Sequence, residues 1–135
     1  MSLDDIQRLC RDTLVSHLGI EITHADAERV CASMPVDERV RQPFGVLHGG
    51  ASVALAETLA SIGAMLAVDG ESRVCMGLEI NANHIRAVRE GPVHGTATPL
   101  HLGGRNQVWN VQIVDREGAL VCVSRVTMAV LERRR

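Results

Sequence analysis

ASVALAETLASIGAMLAV, residues 51–68, is the longest apolar run in the chain, with thirteen apolar residues in eighteen. That is more than one amphipathic stripe needs, so the segment reads as a helix buried nearly all round. A membrane span is the rival reading. Glu57 near the middle and the predominance of Ala, a weak insertion signal, disfavour it. A helix apolar on every side must be covered on most of them, and a curved sheet can provide that cover.

The flanking sequence supplies such a sheet. Residues 73–86, 92–101, 106–114 and 119–131 read as strands separated by REGP, LGGR and DREG, all good turn sequences. In 106–114, Trp109, Val111 and Ile113 alternate with Val108, Asn110, Gln112 and Val114, which leaves one apolar face. Upstream, residues 20–25 and 29–36 read as two short strands around Asp26-Ala27-Glu28. Residues 2–18 have helical periodicity, with Ser2 as a cap and Asp4 and Asp5 at the positive end. The expected fold class is α+β, an antiparallel sheet of five to six strands wrapped on one long buried helix. One domain covers 1–135, with an N-terminal helix within 1–18 and an arginine tail at 133–135.

Composition narrows the function. Fourteen basic residues, all Arg, oppose sixteen acidic ones, and a net charge of -2 argues against a nucleic-acid module. Phe44 and Trp109 are the only aromatics, too few for base stacking. Cys10, Cys31, Cys75 and Cys122 form no CxxC pair, and the six histidines show no HxxxH or HxH spacing, so no metal site is expected. The thiols behave as small buried hydrophobes. With no basic and apolar leader at the start, a reduced cytoplasmic protein is the expectation.

The segment with chemical content is Gln42-Pro43-Phe44-Gly45-Val46-Leu47-His48-Gly49-Gly50, which runs straight into the helix. The first N–H groups of a helix lack internal acceptors and carry partial positive charge. Glycines there let a substrate oxygen approach closely. There is no GxxxxGK[ST], so a P-loop is excluded, and Gly50-Ala51-Ser52-Val53-Ala54 fails the GxSxG pattern. A thioester carbonyl that gains negative charge under attack would suit such a site, although two glycines could also serve only a tight turn. Glu57 favours the chemical reading. A carboxylate inside an apolar helix costs several kcal/mol unless it is paired or serves a purpose. Ser61, four residues on, shares its face, and the alternative role for Glu57 is an arginine pair at a subunit contact.

Spacing adds a constraint. His48 and Glu57 are nine residues apart, about 13.5 Å of helical rise and half a turn of rotation. They cannot meet within one chain. Two antiparallel copies of the helix across a two-fold axis would bring His48 of one chain to Glu57 of the other.

QPFGVLHGGASVALAETLAS (42–61), GLEINANHIRAVREG (77–91) and PLHLGGRNQVW (99–109) resemble the hot-dog-fold acyl-CoA thioesterases of the PaaI-like group. The likeness runs from about Gly19 to Glu132. GLEINANH resembles the 1,4-dihydroxy-2-naphthoyl-CoA hydrolase branch, whereas AETLAS and VSHLGI resemble the branch that proofreads enterobactin synthesis. The resemblance implies a hot-dog fold, homodimers with shared active sites that pair into tetramers, and neither a metal nor an organic cofactor, CoA being part of the substrate. It implies Glu57 as nucleophile or general base, Gly49 as the N–H that polarises the thioester carbonyl, Gln42 and His48 as orienting side chains, and Ser61 as support for attack from the neighbouring chain. It places CoA contacts at Gly77, at His84, Ile85, Arg86 and Ala87, and at His101, Leu102, Gly103, Gly104, Arg105 and Asn106. Guanidinium groups suit the CoA phosphates, the alternative role for Arg86, Arg105 and the nearby Arg89 being that of ordinary strand-end charges. Hydrolysis of an aromatic or aryl acyl-CoA is the expected function. An acyl-carrier protein as substrate, a hot-dog dehydratase or hydratase, and a non-catalytic acyl-CoA-binding module are the alternatives.

Overall fold

The computed structural model describes residues 1–134, and Arg135, the end of the expected tail, lies outside them. Two short helices, α1 (Leu3–Leu9) and α2 (Leu14–His17), precede strands β1 (Glu21–Ala25) and β2 (Val30–Pro35). The long helix α3 (Gly49–Leu66) follows, then β3 (Arg73–His84), β4 (Pro92–Leu102), β5 (Asn106–Val114) and β6 (Leu120–Glu132). Every pairing is antiparallel, and the spatial order is β1-β2-β4-β5-β6-β3. Three hairpins build most of the sheet, while α3 and β3 leave it between β2 and β4. That excursion sends β3 to the far edge, beside β6.

The sheet curls around α3, and the core lies between them. Leu55, Ala56, Leu59, Ala60 and Ala64 of the helix are fully buried with Val93, Ala97, Trp109, Val111, Ile113 and Val126 from the sheet. Alanines keep the helix close to the strands. The tightest approach is at Gly63, where any Cβ would lie 2.5–3.0 Å from the Trp109 ring. Trp109 Nε1 donates to Gln107 Oε1 at 2.8 Å, and Gln107 Nε2 in turn donates to Ala64 O at 3.5 Å. Buried polarity is thereby used to hold the end of α3 on β5.

Three expectations change. The N-terminal helix is broken: Cys10 caps α1, Asp12 takes a left-handed φ of 57°, and Thr13 starts α2 with its own capping box. Next, α3 is enclosed only on the sheet side, because Val53, Ala54, Glu57, Thr58, Ser61 and Ile62 are half-buried on its other face. By length and composition α3 could cross a bilayer, yet 44% of it packs inside this protein. Finally, β3 stops at His84 rather than residue 86, because Ile85 and Arg86 both turn their N–H groups onto Val121 O, at 2.8 and 3.3 Å.

Gly63→Ala should destabilise the protein by about 1–3 kcal/mol, since the Trp109 ring is fully buried and cannot yield to the added methyl. Urea unfolding followed by far-UV circular dichroism measures this, and an unchanged midpoint would refute the contact as a determinant of stability.

Candidate active site

The loop before α3 is fixed by its own backbone. Gln42 and Gly45 form a tight turn, with Gly45 N–H donating to Gln42 O at 2.9 Å and a φ of 80° at Gly45. The Phe44 N–H donates to the side-chain oxygen of Gln42. An N–H can only donate, so the Gln42 atom facing it is the carbonyl oxygen and the NH2 group is left to point elsewhere. His48 is constrained in the same manner. It is the N-cap of α3, with Nδ1 accepting from Gly50 N–H at 2.8 Å. Nδ1 must therefore be unprotonated, and Nε2 is a donor in the neutral ring.

This changes the expectation for the helix start. The Gly50 N–H is consumed by the cap, and Ala51 and Ser52 donate to His48 O at 3.0 and 3.3 Å. Among the described residues, the Gly49 N–H has no acceptor. It opens into a cleft of about 280 Å³ that also holds Gln42, His84, Ile85, Arg86 and Ala87. The His84 ring lies against Gly49 so closely that a Cβ there would sit 2.8 Å from Nε2. The backbone N–H of Ala119 is the main cause that holds the Asp115 carboxyl below its usual range, and the charge of Arg86 adds a smaller part. The cleft thus gathers N–H donors, the His84 imidazole and a guanidinium, and no carboxylate lines it.

Glu57 and Ser61 lie in a different hollow, a groove of about 550 Å³ between α3 and the N-terminal helices, walled by Cys10, Leu14, Val53, Ala54 and Ile62 among others. As their spacing predicts, the two share a face, with no hydrogen bond between them. The Glu57 carboxylate presses on the backbone of Gly77, where a β-carbon would collide with Oε1. Among the described residues it has neither a cation nor a hydrogen-bond donor as partner. Burial raises the Cys10 thiol in the same groove above its ordinary range.

The remaining expected residues fall into two groups. Gly77 is level with Met128 and Gln107 in the sheet, so it shares a row with the β4–β5 hairpin that carries His101, Leu102, Gly103, Gly104, Arg105 and Asn106. His84 is level with Cys122, six residues back along β6, or about 20 Å away. One protomer therefore brings Gln42 and Gly49 to His84–Ala87, and brings Glu57 to Gly77 with Ser61 in the same groove as Glu57, but keeps the two sets apart. His48 is exposed and lies in neither hollow. The sequence analysis missed Thr58, which lines the Glu57 groove with its hydroxyl bound to Ala54 O at 2.7 Å. Its position one residue after Glu57 carried no separate signal.

Comparison with known proteins agrees with this architecture. The family described as "Thioesterase superfamily" matches residues 44–122. The 1,4-dihydroxy-2-naphthoyl-CoA hydrolase of Escherichia coli is 48% identical over 97% of this chain and 96% of its own. A proofreading thioesterase of Cronobacter turicensis is also 48% identical, over 97% of this chain and 95% of its own. The crystal structure of a variant thioesterase from Pseudomonas aeruginosa superposes with a TM-score of 0.95 at 42% identity, covering 98% of this chain and 96% of that one. A family match over more than half the chain, near-full-length relatives and the same helix-in-sheet arrangement lead to one conclusion: the chain belongs to the thioesterase superfamily, has the hot-dog fold and is a thioester hydrolase.

Proposed function

We propose that the protein hydrolyses acyl-CoA thioesters with aromatic or aryl acyl groups, and that Glu57 performs the chemistry. The observation that carries this reading is the carboxylate itself, half-buried, without a cation or hydrogen-bond donor among the described residues, in a groove whose other polar side chains are Thr58 and Ser61. The Gly49 N–H, the Gln42 amide and the Nε2–H of His48 supply donors where negative charge develops on the thioester oxygen. Acting as a base, Glu57 takes a proton from water as the water oxygen bonds to the carbonyl carbon. Collapse of the tetrahedral species breaks the C–S bond, and the thiolate of CoA leaves and takes up that proton. Acting as a nucleophile, Glu57 would instead form an anhydride that water then cleaves. In both routes Ser61 steadies the attacking group. CoA is substrate, and no further cofactor enters the scheme.

The donors and the carboxylate come together in a dimer. β3 is an edge strand of twelve residues with Met76 and Leu78 57% and 65% exposed, the kind of edge that pairs with another chain. Antiparallel pairing of two β3 strands about an axis near Ile80–Asn81 would set Gly77 of one copy opposite His84 of the other. Glu57 of one chain then faces the Gly49 cleft of its partner. The same operation carries the 101–106 hairpin toward the partner copy's cleft, which would join the two groups of CoA contacts. The E. coli and Cronobacter relatives are equally similar to this chain, and the arginines, whose guanidinium groups suit nucleotide phosphates, favour CoA as the carrier.

Glu57→Gln should lower kcat for benzoyl-CoA at least about 10²-fold in a thiol-release assay, and wild-type turnover would refute Glu57 as the reacting group. Gly77→Ala should leave the melting temperature almost unchanged, since a flexible carboxylate can swing away, while kcat falls about tenfold or more because Glu57 is no longer aimed. Loss of both fold and activity would show instead that Gly77 serves the sheet. Mixing Gln42→Ala/His48→Ala subunits with Glu57→Ala subunits, under conditions that exchange partners, should restore about a quarter of wild-type activity. No recovery, with exchange confirmed by mass spectrometry, would refute a site shared between chains.

A further inference from the structure

Three polar side chains are buried among the described residues, and two of them have partners. Gln107 holds Trp109 and reaches Ala64 O, and Ser124 Oγ meets Cys122 Sγ at 3.8 Å. Ser52 is the third. It closes the first turn of α3, is 2% exposed, and its hydroxyl makes no hydrogen bond with any described residue. A serine or threonine inside a helix commonly turns its hydroxyl onto the carbonyl four residues back, as Thr58 does with Ala54 O. For Ser52 that carbonyl belongs to His48, and the N–H groups of Ala51 and Ser52 already use it. No side-chain N or O atom sealed from solvent lacks a partner among the described residues, so the little surface that Ser52 keeps lies at Oγ. That surface faces the Gly49 cleft, which Ser52 lines.

Ser52 follows Gly49 by three residues, and helical side chains lean toward the helix N-terminus, so the hydroxyl lies back over the Gly49 N–H. The reach of such a serine is visible in α2. There Ser16, three residues after Thr13, brings Oγ to 3.3 Å from the Thr13 N. In α3 the corresponding bond is not made, and the hydroxyl and the N–H open into one cleft, each without a partner. Two donors that converge on one point call for an acceptor with two free lone pairs, which a carbonyl oxygen has. We propose that Ser52 is a further catalytic residue, its hydroxyl and the Gly49 N–H together donating to the thioester oxygen. The hydroxyl's bond strengthens as that oxygen gains negative charge under attack. This inference rests on the reading of the Gly49 cleft given above. Attack by the hydroxyl itself has no support, because the His84 ring accepts no bond from it and no carboxylate lines the cleft to orient that ring.

A donor to substrate and a hydroxyl that serves only the fold predict opposite results. Ser52→Ala should lower kcat for benzoyl-CoA about tenfold or more, with KM within about twofold, since the bond is made chiefly in the transition state. Its melting temperature should hold or rise, because the deleted hydroxyl bonds nothing in the free protein. Ser52→Cys, of similar shape but a weak donor, should retain an intermediate kcat. Unchanged kcat, or a fall in melting temperature alongside the lost activity, would overturn the proposal. A second measurement needs no turnover. In the Glu57→Gln protein, difference infrared spectroscopy of bound benzoyl-CoA, isotopically labelled at the carbonyl carbon, reads the thioester C=O stretch. The band should lie below that of free benzoyl-CoA, and adding Ser52→Ala should move it back up. A lowered band that Ser52→Ala leaves in place overturns the Ser52 assignment alone. A band equal to that of free benzoyl-CoA overturns both that assignment and the reading of the Gly49 cleft beneath it.

Discussion

The contact on which everything else depends is that of α3 with the inner face of the sheet. Gly63 lies under the Trp109 ring, the Gln107 amide reaches Ala64 O, and Cys75 Sγ reaches the same carbonyl at 3.5 Å. These contacts set how far along the strands the helix sits. Because a helix advances about 1.5 Å per residue, a slip of one residue would move Glu57 off Gly77 and Gly49 away from His84. Close packing near Gly63 therefore governs where Glu57 and Gly49 stand against the strands.

Under the proposed function, the same helix explains why one chain would carry only part of a site. Its N-terminus presents the Gly49 N–H to the cleft beside β3, while its middle presents a carboxylate into the groove on the N-terminal side. A rigid rod cannot bring its own two ends together. The sheet order contributes the remedy, because sending β3 to the edge leaves both halves beside a strand open to pairing. In that proposal catalysis and assembly are tied to one strand, and a change that weakens the edge would act on both.

Much of this was legible in the residues. The apolar run 51–68, the turn sequences REGP, LGGR and DREG and the alternation around Trp109 gave the helix and the strands, since each signal is local. His48-Gly49-Gly50 marked the helix start, and Glu57 stood out as a charge in apolar surroundings. What stayed hidden depends on long-range geometry. Local pattern does not encode strand order, so the edge position of β3 could not be read. Nor could the exposure of one α3 face, which depends on what covers it. The break at Cys10–Thr13 had a signal, Thr13 followed three residues later by Ser16, but the apolar spacing of Leu3, Ile6, Cys10 and Leu14 ran through it and outweighed it. The use of Gly50 rather than Gly49 by the His48 ring turns on a side-chain angle that no spacing specifies.

Trp109 has a consequence in optics. It is the chain's single tryptophan, and there is no tyrosine, so ultraviolet emission comes from one indole. That indole is fully buried, rests on Gly63 and is hydrogen-bonded to Gln107. Any motion that lifts α3 from the sheet admits water to the ring and reddens its light, whereas events on the outer faces leave its emission unchanged. The native chain thus carries an intrinsic fluorophore placed at the seam between its helix and its sheet.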